Sequence, residues 1–425
     1  MPAVVLLLNY IAEDPTKRLK LAGIRRYAAA AQWHVVSVSY ERSNRENIPG
    51  LLSHYRPIGC ICDEDATPKG FPPGLFGGIP VVYANSRSRR YDAIAGRICS
   101  DSEAVAAAAF RELSANVPAA YAVVGVPSNW EWALARIRQF TALAKTVGSP
   151  CHVFRGRRGE TLDVFSARLV PWIATLERHT AIYAVNDPVA RRVADAAIAA
   201  GLRIPQDLTL LGTDNDPAFC ETARPSLSSI QIDFERMGYL AAKMLEARME
   251  GRANARQDGK DTRQAASDMR VSKRRKSSSM SCAACRSSGP AETPSSSVTL
   301  VGPLLAVRRE STGGRGRREP HILEAVEIIR REACDGLTVA SLMERIPGSR
   351  SLFDLRFREA MGHSALGEIL QVRLERTIDL LRRPGTSIGA IADFSGFGSL
   401  RALDKLFRSR FGCSMREWRR RNVQP

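Results

Sequence analysis

A chain of 425 residues with 44% hydrophobic and 25% charged residues is long enough for two or three packed domains, and its composition excludes a wholly disordered or multi-span membrane protein. The formal charge of +18 is unevenly placed: 29 basic and 25 acidic residues fall in 1–250, against 33 and 19 in 251–425. The carboxyl-terminal part suits a polyanionic partner, although a solvated basic surface accounts for the charge alone equally well.

The first predicted element is the apolar run Val4-Val5-Leu6-Leu7-Leu8, which has no basic segment before it. It is far shorter than the roughly 18 residues of a membrane span, so a buried strand, a cytoplasmic location and no membrane partner are expected. A helical stretch over 14–31 follows, then Val35-Val36-Ser37-Val38. The alternation recurs at 119–125 with 130–147, at 181–185 with 188–200, and at 208–212. Continuous apolar strands alternating with helices predict parallel sheets covered on both faces, and two such sheets fit within 1–250. Open α/β sheets bind ligands at the carboxyl ends of their strands. The polar residues placed there are Asn9, Asp101, Asn186, Asp187, Asp214 and Asn215.

The pattern breaks at 251–298. Arg252 to Arg256 gives way to Lys273-Arg274-Arg275-Lys276 and then to nine serines in 277–297. No helical or strand period survives, so a disordered basic and Ser-rich insertion is expected, with a basic linker at 313–320. The nine cysteines are scattered along the chain, and Cys282-Ala283-Ala284-Cys285 has no second Cys or His pair beside it. Neither a disulfide framework, a metal nor a cofactor is expected.

From 321 onward the sequence is helical and amphipathic, with Ile322, Ala325, Val326 and Ile329 at i, i+3, i+4, i+7 and Val339, Leu342, Met343 and Ile346 repeating the spacing. Pro347-Gly348 and Gly396 punctuate short helices, as two helix-turn-helix units require. In the first unit Thr338 and Ser349 are predicted caps; the second helix is expected to turn Leu352, Leu355 and Phe357 inward and Arg350, Ser351, Asp354 and Arg358 outward. In the second unit Leu400, Leu403, Leu406 and Phe407 form the expected apolar stripe, leaving Arg401, Lys405, Arg408 and Arg410 outside. Candidate contacts to bases or phosphates are Ser349, Arg350, Ser351, Arg356, Ser399, Arg401, Lys405 and Arg408.

On these residues, 320–421 resembles the AraC-type transcription activators. The second unit carries most of the likeness: Ile388, Ala392, Gly396-Phe397, Leu403, Lys405-Leu406-Phe407, Phe411-Gly412 and Trp418-Arg419. The resemblance implies two recognition helices entering successive major grooves of a double-stranded DNA operator. Three positions depart from the family pattern: Pro347-Gly348 in the first turn, Met415 where a proline is usual, and Trp418 for a typical tyrosine. Residues 1–250 resemble the ligand-binding half of LacI/GalR-type repressors and periplasmic sugar-binding proteins, through Leu211-Gly212-Thr213-Asp214-Asn215, 184–188, 136–140 and the returning segment 225–241. Residues 300–312 resemble the end of the same domain. This order of halves is similar to that of bacterial xylose-operon activators.

The implied fold is thus an α/β two-lobed periplasmic-binding-protein-like domain over 1–250, completed by 299–312, followed by an all-α domain with two helix-turn-helix units over 321–425. The implied function is transcription activation by a homodimer that binds a small sugar, xylose, and meets RNA polymerase. A sugar site needs carboxylates and amides for the hydroxyls, an Arg for paired contacts and an aromatic face for the ring. Asp214, Asn186, Asp101, Arg136 and Trp130 supply that set, and the resemblance places Arg136 and Asp214 in the cleft. Asp187 and Asp101 serve equally as helix caps, Asn9 and the Asp214 loop have plain structural alternatives, and Trp130 has one as packing. Enzymatic chemistry finds no support, because 1–250 carries no Gly-x-Ser-x-Gly elbow, phosphate loop or Gly-x-Gly-x-x-Gly after the first strand. A constitutive DNA-binding factor with an unresponsive effector domain is the remaining alternative.

Overall fold

The computed structural model describes residues 3–8, 14–38, 47–63, 71–85, 94–127, 130–157, 159–250, 298–313, 320–361, 363–382 and 386–422. Asn9, Cys282, Cys285, nearly all of the expected insertion and most of the expected linker lie outside the described residues.

In the first lobe β1 (Ala3–Leu8), α1 (Pro15–Ala31), β2 (Trp33–Val38), α2 (Ile48–Tyr55), β3 (Gly59–Cys62), β4 (Val81–Tyr83) and β5 (Gly96–Ser100) follow in order. The second lobe runs α3 (Ser102–Ser114), β6 (Ala120–Val124), α4 (Glu131–Thr146), β7 (Cys151–Phe154), α5 (Leu162–Ala174), β8 (Thr180–Ala184), α6 (Asp187–Ala199), β9 (Leu208–Thr213), the short α7 (Pro217–Cys220) and β10 (Ser228–Ile232). Helix α8 over 234–250 then returns to the first lobe. After the undescribed stretch, β11 (Thr299–Val301) and β12 (Pro303–Val307) close the two sheets.

The first sheet has the order β11-β5-β4-β3-β1-β2 and the second β12-β10-β9-β8-β6-β7. Every described pairing is parallel except β10 with β12. Strands such as β1, β3, β6 and β8 are buried on both faces, as sheets sandwiched by helices demand. The chain passes between lobes at Ser100–Asp101, at Ile232–Phe234 and at Val301–Pro303. Helices α1 and α8 cross at glycines. A Cβ on Gly23 would lie 1.8 Å from the Glu235 carbonyl oxygen, and one on Gly238 1.8 Å from that of Lys20. Only hydrogen at both positions allows this approach.

The carboxyl-terminal domain comprises α9 (Pro320–Glu332), α10 (Val339–Arg345), α11 (Arg350–Met361), α12 (Ala365–Leu381), α13 (Ile388–Phe394), α14 (Leu400–Phe411) and α15 (Met415–Asn422). Helices α10 and α11 pack with α9 around Leu342, Ile346, Phe353 and Phe357, whereas α13 and α14 form a second core with Leu381, Ile391, Leu403 and Phe407. Leu305 and Val307 of β12 join the first of these cores, so the last strand of the α/β region is also part of the floor of the helical domain.

That junction is strongly polar as well. Arg330 of α9 and Asp233, at the start of α8, are both buried and meet through paired hydrogen bonds, one of them 2.7 Å long. Burial alone would raise the Asp233 carboxyl, but the Arg330 charge holds it below its ordinary range. Along α8, Tyr239 Oη donates to Asp379 at 2.7 Å and Arg236 lies 3.6 Å from Glu375 of α12.

Candidate functional site

Between the lobes, at the carboxyl ends of both sheets, is a cavity of about 630 Å³. The first lobe lines it with Asp14 to Thr16, Arg18 and Lys20 from the start of α1, Asn85 after β4, Ser100 at the end of β5, and Phe234. The second lobe supplies Trp130, Trp132 and Arg136 from α4 and its approach, Asn186 and Pro188 at the start of α6, and Asp214 with 216–219 after β9.

Arg136 is 3% exposed. One guanidinium nitrogen donates to the Val185 carbonyl, the plane lies 4.8 Å from the Trp132 ring centre, and Nε has no hydrogen-bond partner among the described residues. A buried donor left unpaired costs about 1–3 kcal/mol, and Arg136 lines the cavity. Asp214 and Asn215 have φ of +103° and +54°, a conformation that Asp and Asn tolerate better than most residues. Burial pushes the Asp214 carboxyl up to about 7, with Arg136 pulling the other way.

The loop carrying Asp214 is held from beneath. Asp187 accepts from Ser229 Oγ at 2.7 Å and from the Asp216 backbone N–H at 2.8 Å, and Arg309 donates to Asn215 at 2.8 Å. Asp187 is fully buried, which with the nearby Asp214 charge raises its carboxyl to about 8. It reaches this position because Gly212 has no side chain: a Cβ there would sit 2.2 Å from an Asp187 carboxylate oxygen. Opposite, Lys20 pairs with Asp63 at 2.7 Å, donates to the Ala84 carbonyl and stands 5.5 Å from the Phe234 ring centre.

In the helical domain, Thr338 and Ser341 form a reciprocal cap on α10, and Ser349 and Ser399 cap α11 and α14 by accepting from Leu352 N and Ala402 N. Helix α14 exposes Arg401, Lys405 and Arg408 at i, i+4, i+7 on one net cationic face, where Arg408 also pairs with Asp404 at 2.7 Å. Helix α11 buries Phe353 and Phe357 and exposes Ser351, Leu352, Leu355 and Arg358.

Residues 122–263 match a periplasmic binding protein-like domain, and residues 344–421 match a helix-turn-helix domain. The xylose operon regulatory protein of Haemophilus influenzae is 24% identical over 326 residues, 76% of this chain and 74% of that protein. Its counterpart in Escherichia coli K12 is 26% identical over 329 residues, 76% and 73% of the two chains. The solved structure of the xylose-binding transcription activator xylR has the same fold, at TM-score 0.53 and 22% identity over 100% of this chain and 99% of that one. The chain is a DNA-binding transcription regulator. It binds DNA through its helix-turn-helix domain, and none of its described helices is long and apolar enough to cross a membrane.

Of the cleft residues expected from sequence, the regulator brings together Trp130, Arg136, Asn186 and Asp214. Asp101 instead caps α3 by accepting from Ala104 N at 2.9 Å. Asp187 neither lines the cavity nor caps α6; the cap is Asn186, which accepts from Val189 N. On the DNA side, Arg401, Lys405 and Arg408 share the exposed face of α14, Ser349 and Ser399 are caps, and Arg356 is half-buried. Two expected apolar stripes need correction. Leu352 and Leu355 point outward, 52% and 56% exposed, because the larger Phe353 and Phe357 take the core positions of α11; Leu400 at the start of α14 is 42% exposed.

Sequence reasoning missed Lys20, Asn85, Trp132 and Phe234. Asn85 and Phe234 closely follow β4 and β10, so the same search of strand ends finds both once those two strands are recognised. Lys20 is a lone cation on the buried face of α1, four residues before Ile24.

Proposed function

We propose that the regulator is a cytoplasmic transcription activator controlled by xylose, bound between the lobes of a domain comprising 1–250 and completed by 299–312. In this division 251–298 is an insertion, 313–320 a linker and 321–425 the DNA-binding domain. The observation that carries the proposal is the cleft's mixture of groups: a buried unpaired Arg136 donor beside the Asp214 carboxyl, with aromatic faces from both lobes. Pentose hydroxyls both donate and accept, and the ring C–H face packs on aromatic carbon. Arg136 Nε donates to one hydroxyl, Asp214 accepts from another, Asn186 offers its amide NH₂, and Trp130, Trp132 and Phe234 cover the ring. The names of the two bacterial relatives favour xylose among the sugars that this chemistry admits.

A ligand that touches Lys20 and Phe234 on one side and Arg136 and Asp214 on the other binds the closed cleft more tightly than the open one, and so shifts the population. Phe234 directly follows Asp233, whose carboxylate holds Arg330 at the foot of the DNA-binding domain. Closure therefore reaches α9 through one peptide unit and one ion pair. Paired in a homodimer, two such chains present four recognition helices to a repeated operator, where the bound activator contacts RNA polymerase.

The test is thermal melting of the full chain against pentoses and hexoses, followed by operator footprinting. Xylose is expected to raise the melting temperature and to change the footprint. A folded protein whose melting temperature moves with no sugar overturns the effector assignment and leaves a constitutive DNA-binding factor.

A further inference from the structure

The two helix-turn-helix units share one register. Ser349, Phe353, Asp354, Phe357 and Arg358 of the first occupy the positions of Ser399, Leu403, Asp404, Phe407 and Arg408 in the second. Each serine caps its helix, and the fourth and eighth residues after it are buried. The outward faces are therefore equivalent, but their chemistry is not. Where α14 exposes Arg401, Ala402 and Lys405, α11 exposes Ser351, Leu352 and Leu355.

A single exposed leucine is ordinary. Here two of them, 52% and 56% exposed and three residues apart, form one apolar patch on the face that a helix-turn-helix lays in the major groove. Arg350 and Arg358 flank the patch, with Asp354 3.9 Å from Arg350, so its surroundings keep a net positive charge that suits a polyanion rather than an apolar protein surface. The apolar feature of the major groove is the thymine C5-methyl group.

We propose that Leu352 and Leu355 read thymine methyl groups beneath α11, while Arg401, Lys405 and Arg408 read guanine edges and phosphates beneath α14. The inference rests on the DNA-binding assignment and gives each operator half-site two chemically unlike segments about one helical turn apart. The α11 segment is selected by methyl contacts with little dependence on salt. The α14 segment is selected by charge and weakens as salt rises.

The experiment selects duplexes from a random pool with the full-length chain, with and without xylose, and then replaces each thymine of the selected site by deoxyuridine, which removes only the methyl. Wild type is expected to lose about fourfold in affinity per contacted methyl, and a Leu352→Ala/Leu355→Ala variant to lose affinity for the thymine duplex but none on deoxyuridine replacement. Alanine is the best helix former and both sites are exposed, so the variant is expected to keep the wild-type circular dichroism spectrum. Arg401→Ala is expected to relax the other segment and leave the deoxyuridine effect intact. Wild-type indifference to every methyl overturns the proposal, as does a double variant with unchanged sequence preference; the leucines then face a protein partner. Failure to enrich any sequence overturns the DNA-binding assignment itself.

Discussion

Asp214 lines the cleft, and in the proposed function its protonation sets the affinity for sugar. The folded carboxyl is raised to about 7, chiefly by burial, whereas the unfolded side chain titrates near about 3.9. Between these values the native state keeps a proton that the unfolded chain has released, so this contribution to stability is fully present below the unfolded value and is lost as pH rises through about 7. Asp187, raised to about 8, acts in the same direction. In the proposed function ligand binding runs the other way, because a sugar hydroxyl donates to the ionised form. Xylose affinity measured by calorimetry is therefore expected to climb by up to tenfold per unit of pH below about 7 and then level off, while an Asp214→Asn variant gives a weak, flat profile. A wild-type affinity independent of pH would remove Asp214 from the acceptor role. Asp187→Ala is expected to behave differently: it strands the Ser229 hydroxyl and the Asp216 N–H, costs ~1–3 kcal/mol for each group left unpaired, and lowers the melting temperature at every pH.

At the scale of elements, the crossing of α1 and α8 fixes the first-lobe wall of the cleft. Lys20 lies one turn before Gly23 on α1, and Phe234 one turn before Gly238 on α8, so the glycine contact positions both. Gly238→Ala would drive a methyl into the Lys20 carbonyl; it is expected to cost ~1–3 kcal/mol or more and to weaken sugar binding, measured by denaturant melts and calorimetry. An unchanged melt would mean that the two helices separate freely. The elements themselves were largely legible, because a run such as Val4 to Leu8 and caps such as Thr338 and Ser399 are local signals. The face of α11 was not. Its sequence places Leu352 and Leu355 beside Phe353 and Phe357, two apolar sets on adjacent faces, and periodicity cannot choose between them; packing against α9 and β12 chooses the aromatics. Likewise Asp187 reads as a helix-start residue, whereas its burial depends on Ser229, 42 positions away, and on the absence of a side chain at Gly212.

At the scale of the whole molecule, the question is how a sugar in the cleft is felt by helices that read DNA. The two regions share an apolar floor at Leu305 and Val307 and a polar junction along α8, whose most buried contact is Asp233 with Arg330. Breaking one side of such a pair leaves a buried charge uncompensated and costs ~3–5 kcal/mol, whereas replacing both by apolar residues is often neutral. Arg330→Met is thus expected to lower the melting temperature sharply, and Asp233→Leu combined with Arg330→Met to restore part of it, because Arg330 also stands 3.6 Å from Glu235 and 3.9 Å from the buried Glu368. The double variant decides the role of the contact. Xylose affinity should stay near wild type, since neither residue lines the cleft, and operator affinity without sugar should persist, since neither lies on α11 or α14. The ratio of operator affinities with and without xylose should fall toward one, because coupling is the free energy by which each site senses the other's ligand. A double variant that keeps the full wild-type ratio would shift the coupling to the Leu305 and Val307 floor, where β12 touches α11 directly.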